Sequence, residues 1–172
     1  MDGFNLHANF PVKDAGSVQL LDAIGSDHGD IKELLVRFRI KMPLCLMKEW
    51  VKLGPGLHRT EMDLPEPLDV WIPGNIRSAR THVYTRELYK WGTASGLYSY
   101  NMLICAGVDK STAMSVLPQN ILVEFIEYGT LISYDFLNRI MADGGARKEM
   151  FDFAQLISDL IRAQFPNSWN MV

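Results

Sequence analysis

Four ionisable side chains crowd one short stretch of this chain. Lys52, His58, Arg59 and Glu61 lie in and just after the turn Gly54-Pro55-Gly56. A glycine turn lets backbone approach a ligand closely, because no Cβ stands in the way. Lysine and arginine beside such a turn can hold a phosphate, the ammonium as a point charge and the guanidinium as a two-pronged donor. A histidine among carboxylates can move a proton near neutral pH. An ordinary charged surface loop accounts for the same residues without a ligand. A second set, Arg139, Arg147, Lys148 and Glu149, brackets Asp143-Gly144-Gly145. Cations there could meet an anion at the start of the last helix, or simply be exposed helix charges.

Several other chemistries find no support. The chain has two cysteines, far apart, and its four histidines never fall at ligand spacing, so no metal site is expected. There is no phosphate loop, no Gly-x-Gly-x-x-Gly fingerprint and no Gly-x-Ser-x-Gly elbow. Asp27-x-Gly29-Asp30 lacks the remaining ligands of a calcium loop. A net charge of −3 offers no strongly basic face for nucleic acid. No apolar run approaches the ~18 residues of a membrane span, and the N-terminus does not read as a signal peptide. A cytoplasmic protein is expected, in a host cytoplasm if virus-encoded. Cys45 and Cys105 sit inside apolar runs and are expected as free, buried thiols.

The elements that must position these residues follow from periodicity. With 172 residues, 48% hydrophobic, the chain suits a single domain over 1–172. A domain of that length buries roughly 70% of its unfolded surface. Val18 to Gly25 predicts an extended piece. Leu35 to Met42 predicts the clearest strand, with Val36, Phe38, Ile40 and Met42 alternating with Arg37, Arg39 and Lys41. Pro43 can open a helix over Leu44 to Val51, with Leu46, Met47, Trp50 and Val51 on one side. Residues 57–74 read as an extended loop with a possible edge strand at Leu68 to Ile72. A long helical pattern covers Asn75 to Ala106; Gly92 and Gly96 weaken its middle and either split it or mark close helix packing. Asp109 predicts the cap of a short helix to Val116. Ile121 to Ile126 predicts a mostly buried strand, Leu131 to Met141 a helix, and Ala146 to Gln164 an amphipathic helix ended by Pro166.

In order and spacing, several pieces resemble the flavin-dependent thymidylate synthases, across roughly residues 16–168. They are Val18-x-Leu20-Leu21-Asp22-x-Ile24-Gly25-x-Asp27, Val36 to Pro43, Gly107-Val108 to Val116-Leu117-Pro118-Gln119-Asn120, and Ala146-x-x-Glu149-Met150-x-x-Phe153-Ala154. The resemblance implies an α/β (α+β) fold, a small sheet packed with long helices. It also implies a homo-oligomer, with a tetramer favoured, whose sites form between subunits. In that family FAD, NADPH and methylenetetrahydrofolate convert dUMP to dTMP. By family position, Glu49, Lys52, His58, Arg59 and Arg147 are expected near a pyrimidine nucleotide, and Asn120 near the cofactor.

The active centre of that outline is rewritten. Where the family signature begins Arg-His-Arg, this chain has Lys52, Leu53 and Gly54. Glu49 and Arg147 stand where glutamines are usual, and Met114 and Met141 where arginines are usual. The connection from Asp27 to Leu34 is short, without the family's flavin-contacting turn. FAD is therefore expected to bind weakly or not at all. The leading expectation is a divergent one-carbon (methyl) transfer enzyme of nucleotide biosynthesis, or a binder of a pyrimidine nucleotide such as dUMP. The alternative is a catalytically inactive homologue serving as an oligomeric structural or regulatory interaction protein. Tyr84, Leu88, Tyr89, Trp91, Tyr98, Tyr100 and Met102 are expected on an exposed face of the long helix, building the oligomer.

Overall fold

The computed structural model describes residues 9–12, 15–25, 27, 34–60, 62–74, 82–143 and 147–171. Glu61, residues 75–81 of the expected long helix and residues 144–146 of the expected turn lie outside them. The strands are β1 (Phe10–Pro11), β2 (Ser17–Ile24), β3 (Leu35–Pro43), β4 (His58–Arg59) and β5 (Leu122–Thr130). The helices are α1 (Leu44–Leu53), α2 (His82–Cys105), α3 (Lys110–Ala113), α4 (Leu131–Ala142), α5 (Lys148–Gln164) and α6 (Pro166–Trp169). The strands form one sheet of five in the order β1-β2-β3-β5-β4, antiparallel throughout. The molecule is thus a mixed α/β fold.

The alternation in β3 decides how the layers form. Val36, Phe38, Ile40 and Met42 are fully buried, and α1 lies on β3, α4 on β5, and α5 on β2 and α4. Each such side chain contributes roughly 1.5–3 kcal/mol on burial. The other face carries the three cations, each matched to an acid: Arg37 to Asp22, Arg39 to Glu124 at 3.4 Å, Lys41 to Asp69 at 3.2 Å. Pairs at such exposed positions add little stability, but the two that join strands, Arg37–Asp22 and Arg39–Glu124, discourage a slipped register.

Some expectations need correction. Val51 is exposed, because helix geometry rotates it away from the stripe of Leu46 and Trp50. Residues 68–72 do not form a strand; only Val70 bridges Ile121. Gly92 and Gly96 do not split α2, which runs unbroken over His82–Cys105; Gly96 marks close packing instead, since a Cβ there would lie 3.1 Å from the Val116 carbonyl oxygen and from Pro118. Cys105 is exposed, because it ends α2 on the side away from the packed surface, and Cys45 is half-buried. Tyr100 is buried with Ala113, Leu117, Ile121 and Val123 in a second small core, and Tyr89 is intermediate.

Asp27 ties the β2–β3 connection to the C-terminus. Its carboxylate accepts from the Ser168 amide at 2.8 Å and the Asn167 side chain at 2.8 Å, capping α6. Partial loss of hydration works against the charge, yet hydrogen bonds from Ser168 and Asn167 leave the carboxyl below its ordinary 3.8. A lowered acid stabilises the fold above its unfolded value and loses that contribution as pH falls through the folded one. The Ser168 amide resonance should therefore titrate with a midpoint below 3.8. Asp27→Ala should abolish that titration and speed amide exchange at 167–169. Unchanged exchange in the variant would show that Asp27 does not hold α6.

Candidate functional site

The polar face of α1 is the place where chemistry-bearing residues from distant elements meet. Pro43 has no amide hydrogen and sits at the N-cap with φ −60°, so β3 passes directly into the helix. The next amides, Leu44 and Cys45, donate to the Ile121 and Gln119 carbonyls at 2.9 and 2.8 Å. These bonds lock α1 against the segment leading into β5. Spacings of four and three then put Cys45, Glu49 and Lys52 on one face. Leu46 and Trp50 turn inward.

Arg147, at the N-cap of α5, reaches across to this face and pairs with Glu49 at 3.0 Å. Lys48 donates to the Gln119 side chain at 2.6 Å. Burial pushes the Cys45 thiol up, against the pull of nearby Arg147, so it is a thiol and not a standing nucleophile at neutral pH. Burial also raises the Tyr89 phenol, with Cys45 adding to it and Arg147 opposing. Tyr89 of α2 is thus within electrostatic reach of Cys45 and Arg147. The result is a half-open polar surface with Lys48, Lys52 and Arg147 as cations, Glu49 as acid and one aromatic ring beside them. It can hold an anion next to a flat, hydrogen-bonding ring.

The structure separates the residues of the Gly-Pro-Gly stretch. His58 and Arg59 are neighbours in β4, so their side chains take opposite faces. His58 is exposed and stacks on Tyr128, ring centroids 5.3 Å apart. Arg59 turns inward beneath the turn, where its Nε donates to Glu127 at 2.6 Å. The same carboxylate oxygen accepts from Trp50 Nε1 at 2.9 Å. Glu127 is fully buried, and burial pushes its carboxyl above the ordinary range while Arg59 and Trp50 pull it back. This cluster pins the turn to β5 and α1. Gly129 and Gly54 permit it: a Cβ on Gly129 would come within 2.5 Å of Leu57 Cδ2, and one on Gly54 within 2.6 Å of Leu57 Cδ1.

Asn120 is buried, and its amide donates to the Trp71 carbonyl at 2.7 Å and the Thr93 hydroxyl at 3.0 Å. It thereby joins the start of β5 to the 68–72 segment and to α2. Sequence reasoning missed Glu127, although a signal exists: Val123, Phe125, Glu127 and Gly129 share one row of β5, and a carboxylate in a core row needs a buried partner. Arg139 and Lys148 make helix-surface pairs with Asp135 and Asp152. Among the described residues no group of three His, Cys, Asp or Glu could hold a metal ion. No helix among them is long and apolar enough to cross a membrane. No family model matches the chain, and no curated relative matches it.

Proposed function

We propose that the chain is a thymidylate-synthase-like binder of a pyrimidine nucleotide such as dUMP, with the nucleotide held on the polar face of α1. The observation that supports this is the reach of Arg147 to Glu49, on the helix face that also carries Lys52. These three residues come from separated parts of the chain, and each is matched to the substrate region by the resemblance. Arg147 and Lys52 suit a phosphate, with Lys48 alongside. The Glu49 carboxylate suits an imide N–H or a sugar hydroxyl, and the Tyr89 ring suits a base.

Methyl transfer to the nucleotide is the reaction that the resemblance implies, with methylenetetrahydrofolate and NADPH as its sources of carbon and reducing power. FAD fits this chain poorly. Leu53 and Gly54 replace a histidine and an arginine, Asn120 uses its amide hydrogens inside the fold, and Arg59 serves Glu127. The proposed binding does not involve flavin.

Calorimetry with dUMP, UMP, dCMP and CMP tests the reading. One of them should bind, and Arg147→Ala and Lys52→Ala should each weaken it by roughly 1.5–3 kcal/mol, more so at low salt. No heat with the unmodified protein would remove the nucleotide reading. Binding that both variants retain in full would move the site elsewhere.

A second reading, an inactive homologue serving as an oligomeric structural or regulatory interaction protein, draws on the commitment of Arg59 to Glu127 and on the exposed apolar residues of α2. A colourless oligomer without a nucleotide-dependent thermal shift would favour it. Flavin absorbance on purification would favour an enzyme.

A further inference from the structure

One inward row of the sheet turns polar beneath the glycine turn. Leu20, Phe38, Glu127 and Arg59 are successive cross-strand partners along β2, β3, β5 and β4. Leu20 and Phe38 are ordinary core residues, whereas Glu127 and Arg59 are an ion pair inside the fold. Tyr134 of α4 joins the same row. Its ring meets Phe38 edge-on, centroids 5.3 Å apart, and it is fully buried. The contact of Arg59 with Glu127 is one-sided. Nε of Arg59 and Nε1 of Trp50 both donate to Oε2 of Glu127, at 2.6 and 2.9 Å. Three buried polar atoms are left over. Nη2 of Arg59, Oε1 of Glu127 and the Tyr134 hydroxyl have no hydrogen-bond partner among the described residues.

Buried polar groups are almost always hydrogen-bonded, to protein or to internal water. The types of these three atoms restrict what can satisfy them together. A guanidinium only donates, an ionised carboxylate only accepts, and a phenol does both. An anion would suit Nη2 but would be repelled by the Glu127 carboxylate. A cation would suit Oε1 but would be repelled by Arg59. The occupant must therefore be neutral, must both accept and donate, and must be small enough for the core to enclose. We propose that one water molecule is bound here and fastens the glycine turn to α4. It accepts from Nη2 of Arg59, donates to Oε1 of Glu127 and bonds the Tyr134 hydroxyl. About three bonds is the usual complement of an internal water.

The surroundings agree with such a site. Burial, with Glu127 adding and Arg59 opposing, holds the Tyr134 phenol well above its ordinary 10, so the hydroxyl keeps its proton. The same influences put Tyr134 within electrostatic reach of both other groups. The turn closes down on the cluster from the other side. A Cβ on Gly54 would come within 3.0 Å of Nη2 of Arg59, and one on Gly56 within 2.7 Å of Ser133 Oγ, next to Tyr134. The backbone of the turn thus runs from the guanidinium to the start of α4, and the water would join its two ends. Trp50 reaches the cluster from the inner side of α1, whereas Cys45, Glu49 and Lys52 lie on another face. The water site is therefore independent of the nucleotide reading.

A crystal structure of the full chain at neutral pH, at a resolution that shows ordered water, tests this directly. Density for one water is expected at about 2.7–3.2 Å from Nη2, Oε1 and the Tyr134 hydroxyl. Direct bonds among the three atoms that leave no room for water, no density between them, or an ion in that place would each overturn the proposal. Tyr134→Phe gives a second test in solution, through the sign of its effect. The variant keeps the ring that packs on Phe38, so it should fold. If the hydroxyl bonds the water, removing it loses a hydrogen bond, and the urea midpoint should fall. If the hydroxyl is buried without a partner, removing it relieves a penalty, and the midpoint should rise. A midpoint that rises or stays the same would overturn the proposal. Tyr134→Phe should also speed exchange of the Leu57 amide, which donates to the Gly54 carbonyl across the turn at 3.2 Å. Exchange as slow as in the unmodified protein would show that the turn is not fastened in this way.

Discussion

Glu127→Ala is expected to cost roughly 3–5 kcal/mol of unfolding free energy, because it leaves the Arg59 guanidinium buried without its counter-charge. Trp50 Nε1 loses its acceptor at the same time. The pair itself need not be a net stabiliser, since the desolvation of two ions offsets most of their attraction. A cycle separates the two effects. Glu127→Leu alone should lose a similar amount, and adding Arg59→Met to it should recover more than half of that loss, whereas independent contributions of Arg59→Met and Glu127→Leu would simply add. Urea denaturation of the four proteins measures this.

Acidity adds a second signature. Burial raises the Glu127 carboxyl above its ordinary 4.5. An acid raised by folding binds its proton more tightly in the folded state. Its contribution is greatest below the unfolded value and declines as pH rises through the window up to the folded one. Stability of the unmodified protein relative to Glu127→Gln should therefore fall from about pH 4 upward. A difference that is flat, or rises with pH, would mean that Arg59 outweighs burial.

Gly16→Ala should be comparably damaging, at about 3–5 kcal/mol. Gly16 has φ +141°, and a Cβ there would overlap the Lys41 carbonyl oxygen and come within 3.2 Å of Phe153 Cζ. The residue leads into β2 where that strand meets the end of β3, so neither strand can retreat without losing ladder hydrogen bonds. Gly107→Ala is the control. It shares the positive φ, at +81°, but its Cβ would meet nothing within 4 Å. It should cost only about 1–2 kcal/mol, the left-handed conformation alone. Equal losses at the two positions would show that contact with Lys41 and Phe153 plays no part.

Local pattern carries a good part of this molecule. The alternation of Leu35 to Met42 foretells both β3 and its buried row, since side-chain direction in a strand has a period of two whatever lies around it. The stripe of Met150, Phe153, Ala154, Ile157, Leu160 and Ile161 does the same for α5. Asp109 caps its helix as expected, because the cap bond to the Thr112 amide is made within one turn.

Partnership between distant residues is beyond that reach. Arg59 reads as a ligand cation beside a glycine turn, but β4–β5 pairing turns it inward onto Glu127. Asn120 reads as a cofactor contact, but the fold brings Trp71 and Thr93 to its amide. Arg147 and Glu49 meet because α5 begins beside α1. Tyr100 and Tyr98 are alike in sequence, yet one is buried on α3 and the 3-10 turn Met114–Val116 while the other faces outward. Periodicity and capping depend on neighbours within a few residues, so they can be read along the chain. Which charge is neutralised, which amide is used and which face of α2 is left open depend on contacts between distant segments, and those exist only once the chain has folded.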